Sequence, residues 1–200
     1  MHHAVFYEFP EADPDTDQFT YKTATGRITI VLVDDPSKVP ALARTMADTG
    51  IELVELCGGM PLAVRAKVRA AVPSNTRVAS VSFGIESIVQ AAEFNRAFTD
   101  GKPPAEACIV SAPGANPAAD RFVRIAGSQN TTFIMANERA APDVARRLVD
   151  QGVGLIELYG GFSDETASEI IEAVAGRSAV GVSGFGHEPP KARSNQEREQ

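Results

Sequence analysis

The sequence has few cysteines, no excess of basic residues and no long apolar segment. Its two cysteines, Cys57 and Cys108, are too few for a disulfide scaffold, and their spacing fits no zinc site. Asp and Glu number 26 against 19 Lys and Arg, and this net charge of -7 argues against nucleic acid as a partner. The longest apolar run, residues 28–33, is far shorter than the roughly 20 residues that cross a bilayer.

The composition is that of an ordinary globular protein. The hydrophobic share of 44% excludes a disordered chain. The N-terminus has no apolar segment of the kind found in signal peptides, and two cysteines without a disulfide pattern favour a reducing compartment. We therefore predict a cytoplasmic protein that has no contact with membranes.

An internal duplication organises the chain. Residues 51–59 read IELVELCGG, and residues 153–161 read VGLIELYGG, 102 positions later. The offset of 102 holds without a gap from Arg27 to Glu86, and a one-residue shift extends the match back towards the N-terminus. A unit of this size is a small domain, and two copies would pack about a pseudo-twofold axis, as a fused homodimer would. We predict either a monomer of two repeats or a homodimer.

The duplication and the composition together predict the domain boundaries. Residues 1–84 form the first repeat and residues 107–186 the second. Residues 85–106 contain an apolar helix followed by a Pro-rich linker, and the helix is expected to be buried between the two copies because it is apolar around much of its circumference. Residues 187–200 are polar, which predicts a disordered tail.

Each repeat predicts the order β-β-α-β-α-β. Strands are expected in the first repeat at residues 5–9, 27–33, 51–56 and 77–83, with a long loop at residues 10–26. Helices are expected to begin near Pro36 and Pro61, and Gly50 ends the first of them. Strands that alternate with helices indicate right-handed crossovers. The predicted class is α/β, with Rossmann-like, mostly parallel sheets; ferredoxin-like α+β repeats are the alternative.

The paired glycines Gly58-Gly59 and Gly160-Gly161 follow equivalent strands of the two repeats. Ligands of open α/β sheets bind outside the carboxyl ends of the strands, where glycines let backbone N–H groups approach an anion. A tight strand-to-helix turn that binds nothing would have the same sequence.

The two turns differ in the charge that follows them. In the second repeat, Ser163 can cap the helix and Asp164 and Glu165 lie in its first turn, where their charges offset the helix dipole. The first repeat has Pro61 and Leu62 in the corresponding region. We therefore expect a small anionic metabolite to prefer the first repeat.

Cys57 and its counterpart Tyr159 are candidates for the chemistry. A thiol beside a helix N-terminus has a lowered pKa, so Cys57 could act as a nucleophile or as an acid/base. Tyr159 could donate a proton across the pseudo-twofold axis. The alternative for Cys57 is a small buried hydrophobic residue, which is a common environment for free cysteines.

Three glutamates are further candidates. Glu55 and Glu157 occupy equivalent positions in otherwise apolar strands, on the same face as Cys57 and Tyr159, and burial would raise the pKa of such carboxyls towards the range of general acid/base catalysis. A structural pair with an arginine is the alternative, since Arg44 and Arg146 also occupy equivalent positions, and Arg44 is also a candidate ligand-binding residue. Glu86 follows a Phe-Gly strand end, where it would also be favoured by a helix dipole.

No metal site or cofactor motif is predicted. The acidic loop formed by Asp13, Asp15 and Asp17 lacks the glycine and the final glutamate of an EF-hand. His2, His3 and His187 are too few and too close to the ends of the sequence to suggest metal binding.

The IELVELCGG segment, the amphipathic helix after it and the Val-rich strand ending in Phe-Gly resemble an uncharacterised bacterial domain family, the domain of unknown function 6506. Its members are about one repeat long and carry a similar I-E-L-C-G-G stretch and an A-P-x-A-D-P-like loop, matched here by residues 10–14 and 113–117. The second repeat departs from the pattern at Tyr159, where the family has cysteine. The resemblance implies a duplicated domain and no particular activity.

From these residues we expect a small, cofactor-independent enzyme of isomerase, epimerase or lyase type. It would act on an anionic or carbonyl-bearing metabolite, with Cys57 and Glu55 in proton transfer or covalent catalysis and Gly58-Gly59 holding the anion. The alternative is a non-catalytic module for ligand binding or assembly, in which the same residues shape the turns.

Overall fold

A computed structural model describes residues 2–24 and 26–184 of the chain. The first repeat comprises β1 (His2–Glu8), β2 (Gln18–Thr23), β3 (Gly26–Val33), α1 (Val39–Asp48), β4 (Leu53–Leu56), α2 (Leu62–Ala71) and β5 (Arg77–Phe83). Helix α3 (Ile88–Thr99) leads to the second repeat. That repeat comprises β6 (Glu106–Ser111), β7 (Arg121–Ala126), β8 (Gln129–Ala136), α4 (Ala141–Asp150), β9 (Leu155–Tyr159), α5 (Asp164–Val174) and β10 (Ala179–Gly184).

Strand β2 and its counterpart β7 lie in segments that the sequence predicted as loops. Their exposure alternates residue by residue, and in β2 Phe19 and Tyr21 point towards the protein interior. Threonine, lysine and glutamine fill the intervening positions of β2, and the nearby Asp and Pro residues conceal the alternation. The predicted loop at residues 10–26 is therefore corrected to a loop followed by an edge strand.

The ten strands of the described residues form one sheet, in the order β2-β3-β1-β4-β5-β10-β9-β6-β8-β7. Pairing is parallel within each repeat except at the outer hairpins β2–β3 and β7–β8, and the repeats join through the antiparallel pair β5–β10. The predicted mostly parallel α/β class with two tandem repeats is confirmed, with the refinement that the two predicted sheets are continuous.

The two edges of the sheet curl towards each other around a pseudo-twofold axis. The equivalent residues Val81 and Ser183 lie directly opposite each other in the β5–β10 pair. On the other side, the rings of Phe19 and Phe122 stack at 4.0 Å. The Tyr21 hydroxyl donates to Asp120 at 3.2 Å. The duplication therefore has the geometry of a fused homodimer.

The one-residue shift between the repeats lies after β3, not before it. Strands β3 and β8 begin at Gly26 and Gln129, 103 positions apart, whereas helices α1 and α4 begin at Val39 and Ala141, 102 apart. The gapless alignment from Arg27 is therefore wrong over β3. An offset of 102 would pair side chains of β3 and β8 that point to opposite faces of the sheet. In the structure, each residue of β3 is equivalent to the residue 103 positions later in β8.

Each face of the sheet has its own hydrophobic layer. Helices α4 and α5 pack on the convex face of the second repeat, against residues such as Ile109 and Ile156. Helices α1 and α2 pack against each other in the same way beside the strands of the first repeat, and their buried residues include Val39 and Val68. The concave faces of the two repeats meet in a shared interior.

Helix α3 departs from the expectation that it is buried between the repeats. None of its residues is buried, and Ile88 and Val89 are 49% and 64% exposed. It lies on the surface and reaches from the end of β5 to β9 and β10, where the Gln90 amide donates to the Gly176 carbonyl at 2.9 Å. Its apolar residues are divided between solvent and the cavity described below.

Within residues 2–24 and 26–184, no helix is both long enough and apolar enough to cross a lipid bilayer. The predicted tail at residues 187–200 lies outside the described residues.

Candidate functional site

The shared interior contains a group of buried polar side chains contributed by both repeats. His3, Glu55, Glu106 and Glu157 are each at most 4% exposed. Ionisable groups rarely lie so deep unless they are paired or hydrogen-bonded. Their partners therefore decide what the interior can do.

Each of the equivalent glutamates binds the glycine turn of the opposite repeat. Glu157 Oε1 accepts the Gly58 N–H at 2.8 Å, and Glu55 Oε2 accepts the Gly160 N–H at 2.9 Å. A carboxylate that accepts a backbone N–H makes a strong, charge-assisted bond. These reciprocal Glu–Gly bonds explain why both repeats retain the glutamate and the first glycine. They also occupy the Gly58 N–H, which was expected to bind an external anion.

The remaining partners of the two glutamates differ. Glu55 contacts the imidazole Nε2 of His3, whereas Glu157 accepts a hydrogen bond from the Tyr159 hydroxyl. The suggested pair with an arginine is wrong: Arg44 contacts Asp48 and the carbonyl of Ala71, and Arg146 contacts Asp143. The duplication thus carries one glutamate beside a basic side chain and one beside a neutral phenol.

The surroundings of Glu157 change its ionisation. Burial raises the pKa of its carboxyl to about 7. Hydrogen bonds from Tyr159 and Gly58 favour the ionised form but offset only part of that effect, and the nearby charge of Glu106 adds to it. Burial and the charge of Glu157 also raise the pKa of Tyr159, which remains a protonated donor at neutral pH.

A cavity of about 320 Å³ opens beside Glu157. It is lined by Tyr7, Glu8, Cys57, Gly58, Gly59, Phe83, Ala91, Phe94, Asn95, Phe98, Glu106, Gln129, Leu155 and Glu157. Its volume lies at the lower end of the range for small-molecule sites.

Both repeats build this cavity. Because β5 and β10 are antiparallel, the carboxyl ends of the first-repeat strands lie at the same edge as the amino ends of the second-repeat strands. Glu8 and Cys57 contribute from the first set, and Glu106 and Gln129 from the second. Helix α3 covers the opening with Phe94 and its neighbours. The cavity is therefore one shared site.

The charge of the lining differs from the expected anion site. Among residues 2–24 and 26–184, three glutamates line the cavity, and no lysine, arginine or histidine does. Burial raises the pKa of Glu106, and burial together with the charge of Asp35 raises the pKa of Glu8. In their ionised form these carboxyls would repel a small anion, in contrast to the expected anion site.

Cys57 lines the cavity but differs from the expected reactive thiolate. It is 4% exposed, and burial raises the pKa of its thiol far above the ordinary value, with the charge of Glu157 adding to the shift. The Glu8 N–H approaches its sulfur at 3.5 Å, which opposes the shift only in part. The expected lowering of the pKa is not found, and the environment matches that of a buried thiol.

We expect Cys57 to react slowly with iodoacetamide at pH 7, at least about tenfold slower than in the urea-unfolded chain, because the thiol is buried and protonated. Peptide mass spectrometry after timed labelling distinguishes it from Cys108, which is also buried. Labelling of Cys57 in the folded protein as fast as in the unfolded chain would contradict this environment.

The other candidates lie outside the cavity lining. Tyr159 is fully buried and reaches the cavity only through Glu157. Gly160 and Gly161 lie at the opposite end of the interior, and Glu86 is exposed in the short turn before α3. The predicted Ser163 cap of α5 is confirmed, since its hydroxyl accepts the Thr166 N–H at 3.2 Å.

Gly160 and Gly161 form a matched pair for a test of the second turn. Both have positive φ, at 84° and 74°, but a Cβ at Gly160 would lie 2.9 Å from the Ser111 carbonyl oxygen, whereas Gly161 faces open space. We expect Gly161→Ala to cost about 1–2 kcal/mol from backbone strain alone. Gly160→Ala should cost about 1–3 kcal/mol more because of the contact. Urea unfolding of the two variants measures the difference, and equal losses would rule out the close approach.

Several interior residues were not identified from the sequence. His3 and Glu106 begin equivalent strands, and the Tyr7 hydroxyl bonds to Glu106, which also accepts hydrogen bonds from Gln129 and Thr131. An ionisable residue at the start of an otherwise apolar strand could have marked both positions. The sequence does not show that the curl of the sheet brings the faces of these two strands together.

In the part of the chain that the structure describes, no group of three or more His, Cys, Asp or Glu side chains is placed to hold a metal ion.

Comparison with known proteins places these features in a family. The sequence pattern of the Family of unknown function (DUF6506) matches residues 1–96 and again residues 104–197. No curated protein matches the chain. The two matches together cover nearly the whole chain and agree with the resemblance found in its motifs.

Among solved structures, the chain is similar to an ABC transporter solute-binding protein from Aeropyrum pernix K1, at 11% identity and a TM-score of 0.28, over 88% of this chain and 60% of that one. A periplasmic solute-binding protein from Actinobacillus succinogenes 130z, solved with bound D-allose, matches at 13% identity and a TM-score of 0.26, over 90% and 76%. The chain thus spans about 60% of the length of the first. Likenesses this weak carry no functional argument.

Proposed function

We propose that this chain, which belongs to the Family of unknown function (DUF6506) and carries its domain twice, is a small cofactor-independent enzyme. It would use Glu157 to move a proton on a small carbonyl-bearing metabolite. One observation supports this above all: a carboxyl whose pKa is raised to about 7 lines a cavity of ligand size. An acid/base group is most effective when its pKa lies near the working pH.

The proposed step is proton abstraction next to a carbonyl group. The Glu157 carboxylate takes a proton from the carbon, and the electrons of the broken C–H bond move to the carbonyl oxygen as an enolate. In an α-hydroxy carbonyl compound, a proton shift from the neighbouring hydroxyl to the enolate oxygen gives the other enediolate. The protonated Glu157 then returns its proton to the former carbonyl carbon, which gives the isomer. Asn95 lines the same cavity, and its side-chain amide is a suitable donor to the enolate oxygen.

The cavity walls support this chemistry. Phe83, Phe94 and Leu155 present apolar surface, which limits the access of water to the reacting carbon. Cys57 contributes as a neutral thiol at the wall, because its raised pKa argues against covalent catalysis. The proposal thus retains the acid/base part of the expected mechanism, transfers it from Glu55 to Glu157 and gives up the thiolate.

We also propose that the enzyme works in a reducing compartment such as the cytoplasm. Both cysteines are unpaired, and Cys57 forms part of the cavity wall. A free thiol in such a position persists best where disulfides are rare.

A non-catalytic binding module is the second candidate, and the reciprocal Glu–Gly bonds favour it. Glu157 and Glu55 hold the opposite turns in the same way. A structural role of this kind explains the presence of Glu157 even if the protein catalyses no reaction. The two candidates differ in whether the raised pKa of Glu157 is used for proton transfer.

Deuterium exchange separates them. The protein is incubated in D₂O at pH 7 with a panel of small ketones and aldehydes matched in size and differing in charge, and loss of the proton next to the carbonyl is followed by NMR. We expect at least one compound to exchange faster than in buffer, and Glu157→Gln to return it close to the buffer rate, because glutamine cannot take up the proton.

Glu55→Gln is the matched control. It is the same substitution at the equivalent position, it keeps an acceptor for Gly160, and Glu55 does not line the cavity. Exchange should therefore persist in this variant. No exchange above buffer, or equal exchange in wild type and Glu157→Gln, would reject the enzyme and leave the binding module.

A further inference from the structure

We infer that the cavity selects small organic cations, so that the ligand carries an amine or another ammonium group. This inference rests on the proposed function insofar as it names the substrate class of the same site. Its basis is the composition of the cavity wall, in which carboxylates and aromatic rings surround a space of about 320 Å³.

The carboxylates come from three different strands. Glu8 belongs to β1, Glu106 to β6 and Glu157 to β9. They meet only because the curled sheet brings the two repeats face to face. Within the part of the chain that the structure describes, the lining includes no lysine, arginine or histidine. A ligand with positive charge would supply what the wall lacks.

Neutral groups satisfy the hydrogen bonds of the buried carboxylates without neutralising their charge. Glu106 accepts from the Gln129 amide and the Thr131 hydroxyl, and Glu157 from the Tyr159 hydroxyl and the Gly58 N–H. Burial still raises the pKa of Glu106 and Glu157, as expected when no cation offsets desolvation. A bound ammonium group would interact favourably with both.

The apolar part of the wall fits the same ligand class. Tyr7, Phe83, Phe94 and Phe98 are four aromatic residues around one small cavity. The faces of aromatic rings attract cations, and quaternary ammonium ligands are commonly bound in aromatic cages. An organic cation matches both features better than a bare metal ion, for which the described residues contain no cluster of three ligands.

Three probes of similar shape test this directly: benzylammonium, benzyl alcohol and benzoate. Their binding to the full chain is measured by calorimetry at pH 8, where the carboxylates are ionised to the greatest extent compatible with a protonated amine. We expect benzylammonium to bind at least tenfold more tightly than benzyl alcohol, and benzoate to bind more weakly than either. Equal affinities, a preference for benzoate, or no binding of any probe would overturn the inference.

A pair of charge-neutralising variants locates the effect. Glu8 is half-buried at the cavity, whereas Glu93 lies exposed on α3 and outside the lining. Glu8→Gln should weaken benzylammonium binding at least threefold and leave benzyl alcohol unchanged, and Glu93→Gln should change neither. Equal weakening by both variants would show that the net charge of -7 attracts the cation, and would overturn the site.

The outcome is separable from that of the deuterium exchange. Selective benzylammonium binding without exchange on any carbonyl compound would support the cation site and reject the enzyme. Exchange on neutral ketones together with equal affinity for the three probes would support the enzyme and reject the cation site.

Discussion

Replacing Glu157 with glutamine should make the protein more stable than wild type at pH 8, although the residue is 2% exposed and makes two hydrogen bonds. In the folded protein, burial raises the pKa of this carboxyl to about 7, from an ordinary value of 4.5. The folded state therefore binds the proton more tightly than the unfolded state does, and Glu157 lowers the stability of the wild type progressively as the pH rises from about 4.5 to about 7.

The loss is on the order of 3 kcal/mol, since each unit of pKa corresponds to about 1.4 kcal/mol. Glutamine stays neutral and can accept the Gly58 N–H with its carbonyl oxygen, so the variant escapes this loss. Urea unfolding at several pH values should show similar stabilities at pH 4.5, a difference that grows up to about pH 7, and a plateau above it. A wild type that is more stable than Glu157→Gln at pH 8 would contradict the prediction.

Replacing His3 with alanine should have the opposite sign and a larger effect. The imidazole Nε2 contacts Glu55 Oε2, and both side chains are at most 1% exposed. Without His3, the Glu55 carboxylate keeps the Gly160 N–H but loses its basic neighbour in a buried site. Breaking a buried pair on one side costs about 3–5 kcal/mol. Chemical denaturation at pH 7 should show a loss of this size.

A double-mutant cycle separates charge from packing. In the Glu55→Gln background no buried carboxylate remains to be paired, so His3→Ala should cost only about 1–2 kcal/mol there, as expected for lost side-chain packing. An equal cost in both backgrounds would mean that the contact between His3 and Glu55 contributes nothing to stability.

Much of the fold could be predicted from the sequence, because the duplication and the apolar periodicity are local signals. The strand predicted at residues 77–83 coincides with β5, and Pro61 immediately precedes α2. Strand β2 was missed because its alternation is carried by Phe19 and Tyr21 alone, among polar residues. The exposure of α3 was missed because the sequence does not show that Phe94 and Phe98 face a cavity and not a packed core.

The site was less predictable because its key contacts join residues about 100 positions apart. Glu157 and Gly58 were both candidates, but nothing local shows that one binds the other. The curl of the sheet creates that contact, and the same curl buries Cys57 beside Glu157 and reverses the expected direction of its pKa shift. The unneutralised start of α2 was visible in the sequence, whereas the carboxylate facing its turn was not.

The duplication allowed two equivalent residues to diverge. In a symmetric homodimer both glutamates would have the same surroundings. Here Glu55 lies beside His3, and Glu157 lies beside a phenol and opens on the cavity. A pair of carboxyls whose environments differ in this way is the usual basis for assigning separate structural and acid/base roles.

The proposed proton transfer depends on the ionisation of Glu157, which can be followed by titration. Carbon-13 NMR of protein labelled at the glutamate side-chain carboxyls, titrated from pH 4 to pH 9, gives the midpoint for each carboxyl, and the signal missing from Glu157→Gln identifies Glu157. The structure predicts a midpoint near 7. A midpoint near 4.5 would show that burial does not raise the pKa of Glu157 and would remove the basis of the proposed proton transfer.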